Sequence, residues 1–351
     1  MAVRGAEDSD NTSWREVIAN YQRPDTNRAL WQLTTTLLPL ILSFTITYWL
    51  LGVSVWWTLL AAIPTAGLLV RTFILMHDCA HGSFFVSRRA NRVVGAVTGL
   101  VTLTPFDHWR HEHALHHASA GDLGRRGHGD VETLTVREYC GRTWWGRLRY
   151  RIVRHPVVFL VLGPIFFVLQ QRVPPRGSGA GRRQIMSVLT TNAAIIAVGG
   201  ALALFVGLRA VLLVYLPAYY VAVAAGILLF FVQHQFEDTY WEQHEQWSYV
   251  DAAIAGSSYF RLPLVLRWFT GNIGLHHVHH LGPRIPSYNV QRCHDENALF
   301  HRVTIVSIAQ GLRSLRLALW DEDAGRLISI RDAHPSAAVR GTFAHGGVAG
   351  S

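Results

Sequence analysis

The chemistry of this chain is concentrated in its histidines, of which there are 19 in 351 residues. The densest run is His276-His277-Val278-His279-His280. On a helix, His276, His279 and His280 stand at i, i+3 and i+4, so their imidazoles share one face. His113, His116 and His117 repeat that spacing within His111-Glu112-His113-Ala114-Leu115-His116-His117. A third cluster, His77-Asp78-Cys79-Ala80-His81, gives an i, i+4 pair, and His234 stands alone in Phe231-Val232-Gln233-His234-Gln235-Phe236-Glu237-Asp238. Neutral imidazole is the commonest metal ligand. A single pair arises often without a metal, but two triads of identical spacing plus a pair point to a metal site.

The ligand count sets the metal number. The pair and the two triads supply eight nitrogens and His234 a ninth, whereas one zinc takes four. Two metals follow, and all-nitrogen ligation without thiolate suits iron. The cysteines, Cys79, Cys140 and Cys293, are far apart and form no CxxC pair. That excludes a four-cysteine zinc or iron–sulfur site and a disulfide framework. Two redox-active irons facing an apolar interior suggest oxygen activation against an unreactive C–H bond.

The elements that must position these residues are membrane helices. Half of the residues are hydrophobic and the mean hydropathy is +0.19, too apolar for an ordinary soluble enzyme. Lys and Arg number 32 against 23 Asp and Glu. The arginines border apolar segments, so they are read as setting topology and meeting anionic headgroups, not nucleic acid. Residues 1–33 form a polar arm with no cleavable signal peptide, in which Ser13 is placed to cap a short helix over 14–21. Residues 34–53 and 55–76 read as two spans joined by a tight turn at Gly52-Val53-Ser54, with Arg71 able to snorkel to the headgroups. Residues 185–207 and 210–233 form a second hairpin. Residues 93–104 are too short to cross and suggest an interfacial or re-entrant helix.

Residues 157–169, interrupted by Pro164, decide the topology by parity. If they crossed, His234 and residues 276–280 would lie opposite His77. If they only dip, there are four spans and every cluster falls on one face. The arginines favour the second arrangement: Arg15, Arg23, Arg28, Arg88, Arg89, Arg92 and those within 110–154 and 172–183 then share that face, leaving Arg209 opposite. The positive-inside rule makes the histidine face cytoplasmic. The expected fold is all-α and integral to the membrane. It has four transmembrane helices in two hairpins and a cytoplasmic helical cap carrying a histidine-rich di-iron site. Residues 34–332 form its one domain, and residues 333–351 a disordered tail.

With spacings HxxxH, HxxHH and HxxHH, the first box after a span and the last after the second hairpin, the chain resembles the membrane fatty acid desaturases. The flanks extend the likeness: Gly82-Ser83-Phe84-Phe85 after the first box, Gly121-Asp122-Leu123, and Pro283-Arg284-Ile285-Pro286-Ser287-Tyr288 after the last. They resemble the acyl-lipid, omega-6 or delta-12 branch, except that Ala80 stands where that branch often has glycine. The resemblance implies that His77, His81, His113, His116, His117, His276, His279 and His280 hold two iron ions, with His234 as the further histidine at the end of the last span. It also implies an O2-dependent enzyme that takes two electrons to put a cis double bond into the acyl chain of a lipid.

Around these ligands, Asn272 is a candidate for a water-mediated ligand, with a helix cap as the equal alternative. His111 and His277 would point off the ligand face. Asp78, Glu112, Glu237 and Asp238 are either orienting partners of imidazoles or solvated acids. His108, His128, His155, His244, His294, His301, His334 and His345 lack ligand spacing and are read as ordinary. Trp109, Tyr240, Trp241, Trp247 and Trp268 read equally as interfacial belt or tunnel wall. No fused cytochrome b5 motif is present, so a separate ferredoxin or cytochrome b5-like donor is expected, its acidic surface docking on the basic face. Two rivals remain. A di-iron hydroxylase or carotenoid ketolase shares histidine boxes but makes C–O bonds. A metal transporter would need charges inside the spans, which are almost free of them.

Overall fold

The computed structural model describes residues 10–127, 131–175 and 181–333. Of the expected tail (residues 333–351), all but Ala333 lies outside the described residues, His334 and His345 included, as does His128. The first helix, α1 (Asp10–Ala19), starts before Ser13, which therefore lies inside it and is not its cap. Next come α2 (Thr26–Leu51), α3 (Val55–His81), α4 (Arg88–Val101), α5 (Phe106–Ser119), α6 (Val136–Gly141), α7 (Trp144–Val153), α8 (Pro156–Val161) and α9 (Gly163–Gln170). They are followed by α10 (Arg182–Val206), α11 (Leu208–His234), α12 (Tyr249–Ile254), α13 (Leu264–Phe269), α14 (His276–Leu281), α15 (Ser287–Glu296) and α16 (Ile308–Ser314). Four of these, α2, α3, α10 and α11, are long and apolar enough to cross a membrane. Their exposed Trp56, Ile196, Leu204 and Phe205 are side chains that a bilayer would cover.

The spans are longer at their histidine ends than hydropathy alone indicates. Helix α2 starts at Thr26 because Asp25 accepts a hydrogen bond from the Arg28 amide at 3.0 Å, capping its first turn. Protein, not lipid, satisfies the polar residues of those first turns: Arg28 donates to Asn289 Oδ1 at 3.0 Å. Helix α3 continues through both His77 and His81 and stops at Gly82, whose φ of 68° is the left-handed conformation glycine accepts most readily. Helix α11 ends on His234 itself. Residues 157–169 break at Gly163-Pro164 into α8 and α9, six and eight residues long and each too short to cross. The hairpin turns near Gly52 and Gly207 therefore lie at one end, and the histidine-bearing ends of α3 and α11 meet α14 at the other.

Arg71 does not snorkel. It is buried within α3. Its Nε donates to Thr36 Oγ1 at 3.0 Å and its Nη2 to Gln32 Oε1 at 2.9 Å, while Nη1 donates to the Trp268 carbonyl. The guanidinium also sits 4.1 Å from the Trp268 ring centroid. These bonds tie both helices of the first hairpin to α13, which leads into α14, the helix of His276, His279 and His280.

Outside the four long helices lie small strands that the sequence reading lacks: β1 (Leu134–Thr135), β2 (Tyr259–Phe260), β3 (Ile305–Val306), β4 (Leu317–Asp321) and β5 (Arg326–Ser329). β4 pairs with β1 in parallel and with β5 antiparallel, and β2 pairs with β3 in parallel. Strands of two residues carry no alternation to read.

Close helix packing delivers α5 to the site. A Cβ on Gly95 of α4 would overlap the Phe106 ring and lie 3.0 Å from Cys79 Cβ. Gly95→Ala is expected to destabilise the protein by about 1–3 kcal/mol through overpacking. The measurement is the thermal midpoint in detergent, and an unchanged midpoint would show that the three helices can part without penalty.

Candidate metal centre

Four elements bring the imidazoles together: α3 carries His77 and His81; α5 carries His113, His116 and His117; α11 carries His234; and α14 carries His276, His279 and His280. Two groups form, His77, His81, His113 and His279 in one, and His116, His234, His276 and His280 in the other, each with its ligand atoms within 4.8 Å of one another. His117 lies between them, its Nε2 3.1 Å from His113 Nε2 and its ring centroid 4.3 Å from that of His280. Helix geometry explains the division. Residues i and i+4 differ by about 40° around the axis, whereas i+3 lies about 60° to the other side. The i, i+4 pairs His77/His81 and His276/His280 each stay in one group, while the i+3 members His116 and His279 cross to the other.

The nitrogens converge in a way that hydrogen bonding does not satisfy. His116 Nε2 is 3.2 Å from His234 Nε2, which is 2.9 Å from His276 Nε2, which is 3.1 Å from His280 Nε2. A neutral ring nitrogen carries one proton or one lone pair, so the two middle nitrogens cannot each satisfy two neighbours. In the other group His77 Nε2 is 3.1 Å from His279 Nε2, and His81 Nε2 is buried with no partner. Such spacings match adjacent ligands on one ion at metal–nitrogen distances of about 2.0–2.1 Å. The residues present therefore fit two metal ions.

Neighbouring groups fix the rings. His77 Nδ1 lies 3.3 Å from Asp78 Oδ1, and the other oxygen of Asp78 accepts from the Ser287 amide at 2.7 Å. His234 Nδ1 donates to the Gly256 carbonyl at 3.1 Å, which leaves Nε2 with its lone pair toward the site. Trp109 stacks on His113 with centroids 4.3 Å apart, and Phe230 packs against His116 and His234. The Tyr288 hydroxyl donates to the Phe84 carbonyl at 3.1 Å, joining the flank of the last box to that of the first. Gln233 donates to the Ile273 carbonyl at 2.9 Å and holds the turn ahead of α14.

Burial, and after it the neighbouring imidazoles, hold His113, His117, His276, His279 and His280 well below the ordinary histidine range. They are neutral in the folded protein, as ligands must be. In the unfolded chain they titrate near about 6.5. Below that pH the unfolded state binds more protons, so folding stability falls as the solution is acidified through about 6.5. Chelator-treated protein is expected to lose thermal midpoint steadily between about pH 7 and pH 5; a midpoint that rose over that range would contradict the burial of neutral imidazoles.

The other sequence candidates sort by contact. Asp78 is an imidazole partner. Glu237 instead pairs with Arg326 at 3.0 Å on the surface, Asp238 is exposed, and among the described residues Glu112 bonds to no imidazole. Asn272 adopts φ 60°, and its Oδ1 faces Arg267 Nε at 3.4 Å; the cap position of α14 is Leu275, so Asn272 does not cap that helix. His111 is half-buried and outside both groups.

His277 is fully buried, with Nε2 3.2 Å from His294 Nδ1; burial, and then His294, pull its pKa down to about 3. The reading of His294 as ordinary missed this contact, and that of His244 missed its bond to the buried Asp122 at 2.8 Å. Both contacts join segments whose separation in sequence carries no spacing signal. Beside His234 a cavity opens, lined by Phe230, Phe231, Ala120, Gly121, Tyr240 and Trp241. Two of the tryptophan and tyrosine candidates thus line a cavity, whereas Trp109 stacks on His113 and Trp268 covers Arg71.

A helical membrane protein with two buried imidazole clusters at the ends of its spans belongs among the membrane-bound metal oxidoreductases. Comparison with known proteins makes the class specific. Residues 54–307 match the fatty acid desaturase family. The chain is 41% identical over 315 residues to a fatty acid desaturase of Bacillus subtilis, covering 90% of this chain and 89% of that protein. It is 27% identical over 259 residues to an sn-1 acyl-lipid omega-3 desaturase (ferredoxin) of Synechocystis sp., covering 70% and 65%. It is 27% identical over 232 residues to an acyl-lipid omega-3 desaturase (cytochrome b5) of the endoplasmic reticulum of Arabidopsis thaliana, covering 62% and 58%. The chain belongs to the fatty acid desaturase family.

Proposed function

We propose that this protein is a di-iron desaturase that inserts a cis double bond into the acyl chain of a membrane lipid. The observation that carries the reading is the convergence of nine imidazoles, in two groups with His117 between them, at the ends of two apolar hairpins. The arginine distribution supports a cytoplasmic position for that end. The overall change is –CH2–CH2– plus O2, two electrons and two protons giving –CH=CH– and two waters. When bound, the irons supply O2 reduction and hydrogen removal from methylene carbons. The chain's own groups do the rest. The nine imidazoles would hold the two irons, and Asn272 is the candidate to reach them through a water. Asp78 and the Gly256 carbonyl orient two of them. Trp109 and Phe230 keep water from the rings. A methylene chain has no polar handle, so its position has to be set by the shape of the apolar surface around the site and by where the headgroup stops.

The electrons come from a separate carrier. The relatives' names include both ferredoxin and cytochrome b5, and either chemistry serves. The flanking motifs favour delta-12 or omega-6 placement of the double bond, while the two acyl-lipid relatives are named omega-3 enzymes. Expression in a host lacking desaturases, followed by mass spectrometry of its fatty acids, tests both levels. New cis dienes support the reading, and their double-bond position separates omega-6 from omega-3. An unchanged profile from iron-loaded protein with a working reductant would overturn it, and hydroxy or keto products would assign the chain to C–O bond formation.

A further inference from the structure

We infer that His277 and His294 form the route by which electrons from a carrier protein enter the metal site, with the surface around His294 and His301 as the place where the carrier docks. The inference rests on the di-iron reading above.

His277 sits beside an apolar cluster that includes Leu275, Val278, Leu281 and Phe300, with the Tyr259 and His294 rings and the Ser258 backbone as its polar neighbours. An imidazole in such a place is costly unless bonded, and a leucine would pack there without that cost. Its Nε2 meets His294 Nδ1 at 3.2 Å. His294 is half-buried and leans on the Tyr259 ring with centroids 5.3 Å apart. Its carbonyl accepts from Nε2 of the exposed His301 at 3.0 Å. On the inner side His277 is covalently joined to His276, whose Nε2 lies within 3.1 Å of both His234 and His280. One stretch of backbone and one hydrogen bond thus link a metal-facing imidazole to a ring at the surface. Another aromatic neighbour of the site, Trp109, leads the opposite way: a ring 5.2 Å from it is Phe73 on the spanning helix α3.

The surface suits an acidic carrier. Arg302 is exposed and has no ion-pair partner among the described residues. Around this face Arg267, Arg292 and Arg302 outnumber Asp295 and Glu296, which accept from Gln291 and Tyr21 at 2.6 Å each; Glu296 also lies 3.8 Å from Arg292. Exposed Leu299 adds an apolar contact. In each transfer one reduced carrier loses one electron and one ferric ion becomes ferrous; no proton moves along the route. Two carriers serve each double bond.

The test is rapid mixing of iron-loaded, oxidised protein with a reduced [2Fe–2S] ferredoxin, and separately with dithionite, while absorbance follows reduction of the iron. His277→Leu and His294→Ala are expected to slow reduction by ferredoxin by about tenfold or more. Reduction by dithionite and the iron content per chain should match those of the unaltered protein. Unchanged ferredoxin rates in both variants would overturn the inference. Equal slowing with dithionite would overturn it too, by making the pair a structural tie between α14 and α15. If the unaltered protein binds no iron, the di-iron reading itself fails and takes this inference with it.

Discussion

His276→Ala is expected to abolish desaturation, lowering diene formation by more than the roughly 10–100-fold that follows loss of an outer partner of a ligand. Iron content should fall by about half, because four nitrogens make each group and His276 belongs to one of them. Its Nε2 is the junction of that group, 2.9 Å from His234 and 3.1 Å from His280. Alanine removes the junction without disturbing the helix, since Val278 and Leu281 still bury the opposite side of α14. The protein should therefore keep its helical circular dichroism and its detergent elution volume. His111→Ala is the matched control, a histidine from the same run as His113 that lies outside both groups, and it should retain iron and activity. A His276→Ala protein that kept full iron and full activity would remove this group from the metal site.

The sequence carried the positions of the converging histidines because a helix makes them periodic. The pair at i, i+4 and the triads at i, i+3, i+4 are visible without any coordinates, and all nine histidines so selected converge. What the spacing does not carry is the division between the two groups. Reading a triad as one shared face holds to within a turn, yet the i+3 members His116 and His279 lie far enough around the axis to serve the other group. Which group receives them depends on how α5 and α14 are rotated against α3 and α11, a property of packing that no single helix specifies.

Topology was legible for a related reason. Pro164 in an apolar stretch argues against a continuous span, and the Gly163-Pro164 break leaves two helices too short to cross. The span ends were less legible. Hydropathy marks where lipid would be satisfied, and the first turns of α2 and last turns of α3 are satisfied by protein. Arg71 shows the same limit: by composition it belongs at the headgroups, but Thr36, Gln32 and the Trp268 carbonyl offer three acceptors inside the fold. Acidic neighbours of histidines were legible only in part. Asp78, Glu237 and Asp238 look alike in sequence, and only Asp78 has a helix behind it to close the pocket around its carboxylate.

That pocket makes Asp78→Asn the most informative change outside the ligands. The carboxylate serves two donors at once, the His77 ring at 3.3 Å and the Ser287 amide at 2.7 Å, and it is 3% exposed. Asparagine has the same shape but only one acceptor atom. Whichever way the amide is turned, one donor faces an N–H group in a site closed to water. If Ser287 loses, the start of α15 is left with an unsatisfied buried amide, and stability should fall by about 1–3 kcal/mol. If His77 loses, its tautomer is no longer fixed and iron affinity should fall by about 10–100-fold. Thermal melts and iron titration read the two outcomes separately, and added iron should restore desaturation in Asp78→Asn though not in His276→Ala. The surface change Glu237→Gln should move stability by less than about 0.5 kcal/mol. If Asp78→Asn behaved the same way, the carboxylate would be a bystander, and the bond joining the first histidine box to the flank of the last would contribute nothing to the metal site.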